Sequence, residues 1–276
     1  MQMANITSNG GKTMGEEKTR IIAVANEKGG VGKTAMTINL GAALSLEEKK
    51  VLIVDMDPQH NATIGLGVDA DECTATVYDL IVNEGSAKAR DAVVQTRWEN
   101  LDLIPSHIDL SGAEVEITDK PGRERRLKDA LTDLNSNYDF ILVDTPPSLS
   151  LLTVNVFTYV NEMLVPCQMH PYAYSALEDL FDTFESIKEG INSDLKIAGI
   201  VPTFYDKRTT LSKTVKDRLF ADTRYQGHMF DSLIRTNTAV ARSSDAGEPV
   251  VFYDKRSYGA WDYARLAEEL LTKSPA

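Results

Sequence analysis

The sequence predicts an α/β protein built on a doubly wound, mostly parallel twisted sheet with helices on both faces. Three observations lead there. Apolar, β-branched runs recur along the chain, amphipathic helix-period stretches separate them, and the first run passes through a glycine-rich turn straight into a helix. At 276 residues the chain can bury a full core. Its 42% hydrophobic and 25% charged residues exclude a disordered or collagen-like chain.

Taken in order, residues 1–19 are polar and read as a flexible tail. Residues 20–276 read as a single domain, because neither a repeat nor a dividing linker interrupts them. Strands are predicted at Ile21–Ala25, Val51–Asp55, Leu101–Ile104, Phe140–Asp144, Met163–Cys167 and Ile197–Pro202. Each is an apolar run between turn signals, as strands covered on both faces require. A helix is predicted at Ala35–Ser45, with Met36, Leu40 and Leu44 on one face. A second spans Ser175–Glu189, with Leu177, Phe181, Phe184 and Ile187 inward and Gly190 as the stop. The last covers Ser257–Leu271, with Tyr263, Ala264, Ala267, Leu270 and Leu271 inward. In this arrangement the strand ending at Asp144 lies beside the one ending at Ala25.

Charge narrows the function classes. The formal net charge of −12 argues against a protein coated in nucleic acid. Residues 201–260 nevertheless hold ten Lys/Arg against seven Asp/Glu, so a local basic face on an acidic body is expected. No apolar run approaches the roughly 20 residues of a membrane-spanning helix, and the first residues lack the hydrophobic stretch of a secretory signal. The two cysteines, Cys73 and Cys167, are far apart and lack metal-ligand spacing, which predicts a reduced, cytosolic protein.

The most informative segment is IIAVANEKGGVGKT, Ile21 to Thr34. A buried strand, a glycine-rich turn and a helix opening on Lys33-Thr34 are the parts of a phosphate-binding loop, in the required order. Glycines let backbone N–H groups close around phosphates, and the helix N-terminus adds partial positive charge. Lys33 reaches the β- and γ-phosphates and the Thr34 hydroxyl ligates Mg²⁺. The strict pattern fails at its first position, where Glu27 replaces glycine, and a second lysine, Lys28, heads the loop.

Three carboxylates follow buried strands. Asp55 and Asp57, in VLIVDMDPQ, stand one residue apart at the end of a strand, where residues face the ligand crevice. On an extended strand they point the same way and serve the Mg²⁺ and water system together. Their bland alternative is a turn-capping role ahead of Pro58. Asp144 closes FILVD and reads as a carboxylate that binds Mg²⁺ directly or through water, the alternative being a strand-end cap.

Four ordered motifs carry a family resemblance: KGGVGKT (Lys28–Thr34), DMDPQHNAT (Asp55–Thr63), DFILVDTPP (Asp139–Pro147) and the stretch from IRTN to AGEPVVFYDKRSYGA (Ile234–Ala260). From about Arg20 to Leu271 the chain resembles the deviant Walker A ATPases of the ParA/Soj partition type. The resemblance implies an ATPase using ATP and Mg²⁺ that forms a nucleotide-sandwich homodimer. Lys28, Gly29, Gly30, Val31, Gly32, Lys33, Thr34 and Ala35 would bind the nucleotide, with Lys28 crossing to the partner's phosphates and Gly30 marking a close approach of the two chains. Lys28, Lys33 and Asp57 take the catalytic roles, Asp57 positioning the attacking water. Thr34, Asp55, Asp57 and Asp144 serve the metal. The resemblance also implies non-specific binding of double-stranded DNA in the ATP state, with Lys207, Arg208, Arg235 and Arg242 as candidates. It further implies a small basic ParB/Spo0J-like partner and a cytoplasmic, nucleoid-associated location. Two residues depart from the family pattern: His60, where glycine is usual, and Ala239, where a basic residue is common.

Competing classes are a MinD-like membrane ATPase and a ParA-like positioner of protein cargo. The membrane class needs a terminal amphipathic helix with a cationic face, whereas the last helix is expected to expose Asp262, Glu268 and Glu269, so no membrane partner is expected. The protein-cargo class shares every motif and stays open. The cysteine contexts do not match a cluster-binding iron protein. The basic run Lys120–Lys128 reads as a solvated helix face, and Thr203–Tyr205 as a candidate wall for adenine.

Overall fold

The computed structural model describes residues 18–83 and 88–273. Except for Lys18 and Thr19, the tail expected over 1–19 lies outside them. The strands are β1 (Arg20–Val24), β2 (Val51–Asp55), β3 (Val94–Gln95), β4 (Leu101–Ile104), β5 (Phe140–Asp144), β6 (Glu162–Gln168) and β7 (Lys196–Thr203). They form one sheet in the order β3-β4-β2-β5-β1-β6-β7, with all pairs parallel except β3 on β4. From the centre, β1, β2 and β4 progress toward one edge and β5, β6 and β7 toward the other. A crevice opens where those directions part, at the carboxyl ends of the central strands.

The expected neighbours are in place. Val24 faces Asp144 across the β1–β5 ladder, and Asp55 faces Asp144 across β2–β5. Three strands therefore end level with one another, and the chains leaving them converge.

The helices are α1 (Lys33–Leu46), α2 (Asn61–Gly65), α3 (Val77–Val82), α4 (Leu110–Ile117), α5 (Arg126–Leu131), α6 (Leu151–Tyr159), α7 (Ala173–Gly190), α8 (Thr210–Ala221), α9 (Thr238–Asp245), α10 (Val250–Tyr253) and α11 (Tyr258–Thr272). Because successive strand residues point to opposite faces, the sheet feeds two cores. Ile22, Val24, Ile53 and Leu142 pack with Met36, Leu40 and Leu44 of α1 and Leu266 and Leu270 of α11. Ala23, Leu52, Val54, Ile141 and Val143 pack with Leu127, Val156, Leu177 and Leu219 on the other face. Each of these Val, Leu, Ile and Met side chains contributes about 1.5–3 kcal/mol by leaving water.

Several expectations need correcting. The two-residue strand β3 is too short to register as an apolar run. Helix α1 starts two residues early, because left-handed Gly32 (φ +94°) turns the chain directly into Lys33. On α7, Leu180 takes the buried place expected for Phe181, which is only partly covered. In the run Lys120–Lys128, Arg126 is buried and only its neighbours form a solvated face. The largest correction concerns α11. Asp262 is buried, and the Glu269 carboxylate accepts hydrogen bonds from the backbone N–H groups of Asp231 and Ser232. The exposed face carries Tyr258, Trp261, Arg265 and Glu268 instead. No helix among the described residues is long and apolar enough to cross a membrane.

Gly199 in β7 has φ +155°, and a Cβ built there would stand 2.2 Å from the Phe230 ring and 2.8 Å from the His228 carbonyl oxygen. Gly199→Ala should lower stability by about 1–3 kcal/mol through overpacking. Urea unfolding should register a lower midpoint with an unchanged slope, and an unshifted midpoint would rule this packing out.

Candidate active site

β1 delivers the chain into a loop that four hydrogen bonds shape. The Asn26 side chain donates to the Pro166 carbonyl at 2.9 Å and accepts from the Lys28 N–H at 2.9 Å. The Thr203 hydroxyl donates to the Val31 carbonyl at 2.9 Å. The Thr183 hydroxyl on α7 donates to the Glu27 carboxylate at 2.7 Å. The loop is thus tied to β6, β7 and α7. Within it, Gly30 (φ +74°) and Gly32 (φ +94°) adopt left-handed backbone that side chains disfavour. A Cβ on Gly30 would meet no atom of this chain within 4 Å, so its backbone angle is what calls for glycine within the protomer.

Lys33 is buried and folds back under the loop, its Nζ donating to the Lys28 carbonyl at 3.4 Å. Burial pulls its pKa down, and the nearby Asp144 and Asp57 carboxylates work against that. Lys28 is half-buried and its ammonium makes no ion pair among the described residues. Gly29 is exposed, Val31 is buried, and Thr34 and Ala35 are half-buried on the first turn of α1.

Asp144 lies directly against that turn. Its carboxylate accepts from the Thr34 hydroxyl at 2.7 Å and from the Thr37 hydroxyl at 3.2 Å. Thr37 was not picked out from sequence, although its place one helical turn beyond Thr34 is a usable signal. Asp144 is wholly buried, and burial followed by the Asp55 charge raises its pKa well above the ordinary carboxylate range.

Asp55 is buried too, with its pKa raised by burial against the pull of Thr63. One oxygen accepts from the N–H and hydroxyl of Thr63 at 2.9 and 2.8 Å, the other from the Asp57 N–H at 3.2 Å. Those bonds match the capping alternative: Asp55 braces the loop that carries Asp57. The paired strand ends at Asp55, and Asp57 opens the turn that follows, its carbonyl accepting from the His60 N–H at 2.8 Å. It accepts from the Gln59 N–H at 3.0 Å and lies close enough to Lys33 and Asp144 to influence both. At the end of that turn His60 is left-handed (φ +44°), a conformation that explains why glycine suits the position. Its ring stacks on His107 with centroids 6.5 Å apart.

These groups suit Mg²⁺. Among the described residues no set of three or more His, Cys, Asp or Glu side chains forms a metal cage. Magnesium beside a nucleotide takes one or two protein oxygens and draws the rest from phosphates and water. A buried carboxylate sharing a hydroxyl with the first turn of a phosphate loop is such a donor set. Phe204, also left-handed (φ +51°), lays its ring 3.5 Å from where a Gly32 side chain would begin, so the Thr203–Tyr205 stretch does border the loop.

The candidate DNA residues are less uniform. Lys207 is exposed and forms no ion pair among the described residues, whereas Arg208 is exposed but bound to Asp206 at 2.8 Å. Arg235 is held by Asp262 through its backbone N–H at 3.0 Å and its guanidinium Nε at 3.1 Å. Lys207 and Arg235 line one recess of about 230 Å³ with Tyr205, Trp261 and Arg265. Arg242 is exposed on α9 and does not line that recess. Ala239, on the same helix, packs partly against the α1 core.

Comparison with known proteins agrees with this geometry. Residues 19–197 match the family model described as an AAA domain. The chain is 41% identical to the sporulation initiation inhibitor protein Soj of Bacillus subtilis over 251 residues, 91% of this chain and 98% of that one. It is 38% identical to the chromosome partitioning protein ParA of Caulobacter vibrioides, covering 94% and 97% of the two. Among solved structures, cobyrinic acid a,c-diamide synthase from Mycobacterium smegmatis with bound ADP and magnesium superposes with a TM-score of 0.77 at 34% identity, over 92% of this chain and 94% of that one. By fold, by loop and by relatives of nearly equal length, the chain belongs to the ParA/Soj family of P-loop ATPases.

Proposed function

We propose that this chain is a Mg²⁺-dependent ATP switch for partitioning a chromosome or plasmid. ATP closes two copies into a dimer, and the dimer holds duplex DNA without sequence preference. Hydrolysis, stimulated by a small basic partner protein, reopens it. A cytoplasmic place on the nucleoid belongs to the same reading. The observation that carries it is the Thr34–Asp144 contact at 2.7 Å beside buried Lys33, a phosphate loop built onto a metal-side carboxylate.

In the reaction a water oxygen bonds to the γ-phosphorus as the bond to the ADP oxygen breaks, giving ADP and inorganic phosphate. Asp57 accepts a hydrogen bond from that water and orients it, while Asp55 holds the Asp57 turn in place. Loop N–H groups and Lys33 cradle the β- and γ-phosphates and stabilise charge that grows on the γ-oxygens. Thr34 and, directly or through water, Asp144 would hold the Mg²⁺ that comes with the nucleotide, and the ion would neutralise phosphate charge. Lys28 has no carboxylate partner among the described residues, which leaves its half-buried ammonium to serve across the dimer. Supplied by the partner subunit, it acts as an arginine finger does, adding positive charge only when the dimer closes. The acidic body of the protein, at −12, is electrostatically suited to a basic partner.

Lys33→Ala should lose the thermal stabilisation that ATP confers on the native chain, about 2.7 kcal/mol at a hundred times Kd. Its hydrolysis should fall by about 10²–10³-fold. Lys28→Ala should keep the nucleotide stabilisation yet stay monomeric by light scattering with ATP, and an undiminished dimer would remove Lys28 from the trans role. The function itself is read by retention of an arbitrary duplex: binding should need ATP, weaken steeply with added salt and vanish in Lys33→Ala. Equal retention without nucleotide would contradict the switch.

A further inference from the structure

Helix α11 carries a solvent-facing stripe that the core does not use. Tyr258, Trp261 and Arg265 stand one and two turns apart on the same side, with Tyr258 65% and Trp261 53% exposed. Exposed Lys255 and Arg256 lead into it. Beneath it the Arg235 guanidinium lies 4.2 Å from the Tyr258 ring centre and 5.3 Å from that of Trp261, and Arg265 lies 5.1 Å from Trp261. Lys207 lines the adjoining recess.

We propose that this stripe is the surface that touches duplex DNA. Lys207, Lys255, Arg256 and Arg265 meet phosphates, and Trp261 and Tyr258 pack on the sugar and base edges. Arg235 is a brace under the rings and not a phosphate contact. The proposal rests on the DNA-binding reading above, keeps Lys207 from its candidates and adds Tyr258, Trp261, Lys255, Arg256 and Arg265 on or beside α11.

Three observations carry it. First, the cations are available: Lys207, Lys255, Arg256 and Arg265 form no ion pair among the described residues, whereas Arg208 and Arg235 are neutralised by Asp206 and Asp262. The carboxylates nearby are Asp262, committed to Arg235, Asp206, committed to Arg208, Asp231 at the recess, Asp254, which caps the Arg256 N–H, and Glu268, exposed one turn beyond Arg265 at the far end of the stripe. Second, two large aromatic rings stand exposed among those cations on a protein of net charge −12. Cations that neutralise phosphates beside rings that pack on sugars grip a duplex without reading its sequence. Third, the support is rigid. Tyr258 to Arg265 spans about 10 Å of helix, comparable with the roughly 12 Å width of the major groove. A lipid surface fits less well. Membrane binding needs an apolar helix face to bury, and the apolar residues Tyr263, Leu266, Ala267 and Leu270 of α11 are already packed in the core.

The test uses the full chain with ATP and Mg²⁺, a fluorescent duplex of arbitrary sequence, and vesicles rich in phosphatidylglycerol. Trp261→Ala and Arg265→Glu should each weaken duplex binding by about tenfold or more. Arg265→Ala should reduce the salt slope of binding by about one. In a Trp98→Phe background Trp261 is the sole remaining tryptophan of the two. Its emission should change on titration with the duplex. A variant that fails to melt cooperatively by circular dichroism is replaced by Trp261→Leu or Arg265→Gln, for which the same losses are expected. Native chain that binds no duplex with ATP overturns the DNA reading and this assignment together. Native binding with unaltered stripe variants and a silent Trp261 overturns the assignment alone. Loss of vesicle binding in those variants with duplex binding intact makes the stripe a lipid contact and also overturns it.

Discussion

Asp144 is the constraint around which this molecule is arranged. It stands at the end of a central strand, level with the ends of β1 and β2, and carries a wholly buried carboxyl group. A buried carboxylate is unfavourable unless hydrogen-bonded and charge-compensated. Here the hydrogen bonds come from Thr34 and Thr37, and the nearest compensating charge is Lys33. Both donors and Lys33 lie on the first turns of α1. The sheet therefore holds the phosphate loop's helix by the same group that the proposed chemistry requires.

The loop ahead of α1 is equally constrained, by residues far away in sequence. Asn26 binds β6, Thr203 holds Val31 from β7, and Glu27 is tied to Thr183 on α7. Glycines at two left-handed positions would otherwise leave the turn many conformations, and each tether removes some of that freedom before any phosphate arrives. The Glu27 tether has a second consequence. It replaces the glycine of the strict loop pattern with a carboxylate that reaches a helix surface, so a protein touching α7 is one hydrogen bond from Lys28.

What the sequence makes legible follows from the range of the interactions involved. The strands and α1 are readable because burial on both faces and helical periodicity are local properties. The phosphate loop is readable because its parts are contiguous. Asp55 is harder: two residues of spacing suggest a shared direction with Asp57, but Thr63 captures one of its oxygens and the Asp57 N–H the other. The face of α11 was misread for a related reason. Asp262 looks like a solvated helix residue until Arg235, 27 positions earlier, is brought against it, and Glu269 until it caps the 231–232 backbone. Polar residues buried by distant partners leave no periodic trace. His60 left a trace of another kind, since only its left-handed backbone explains why glycine would suit that place.

The Arg235–Asp262 pair lies between the phosphate loop and the aromatic stripe. Tyr205, at the close of β7, bridges to Arg235, and its N–H donates to the Ile234 carbonyl at 3.1 Å. One residue earlier, strained Phe204 rests against Gly32 of the phosphate loop. A continuous run of packed groups therefore joins the nucleotide loop to the aromatic stripe, through Phe204, Tyr205, Arg235 and Trp261. The ion pair matters more for placement than for net stability, since its worth is offset by desolvation of both partners. By neutralising Asp262 it also removes the one carboxylate that lies within the stripe's own stretch of helix. On a body this acidic, a basic surface has to be made by pairing away the nearest negative charges, and Arg235 does that for the face where Arg265 and Lys207 stand unpaired.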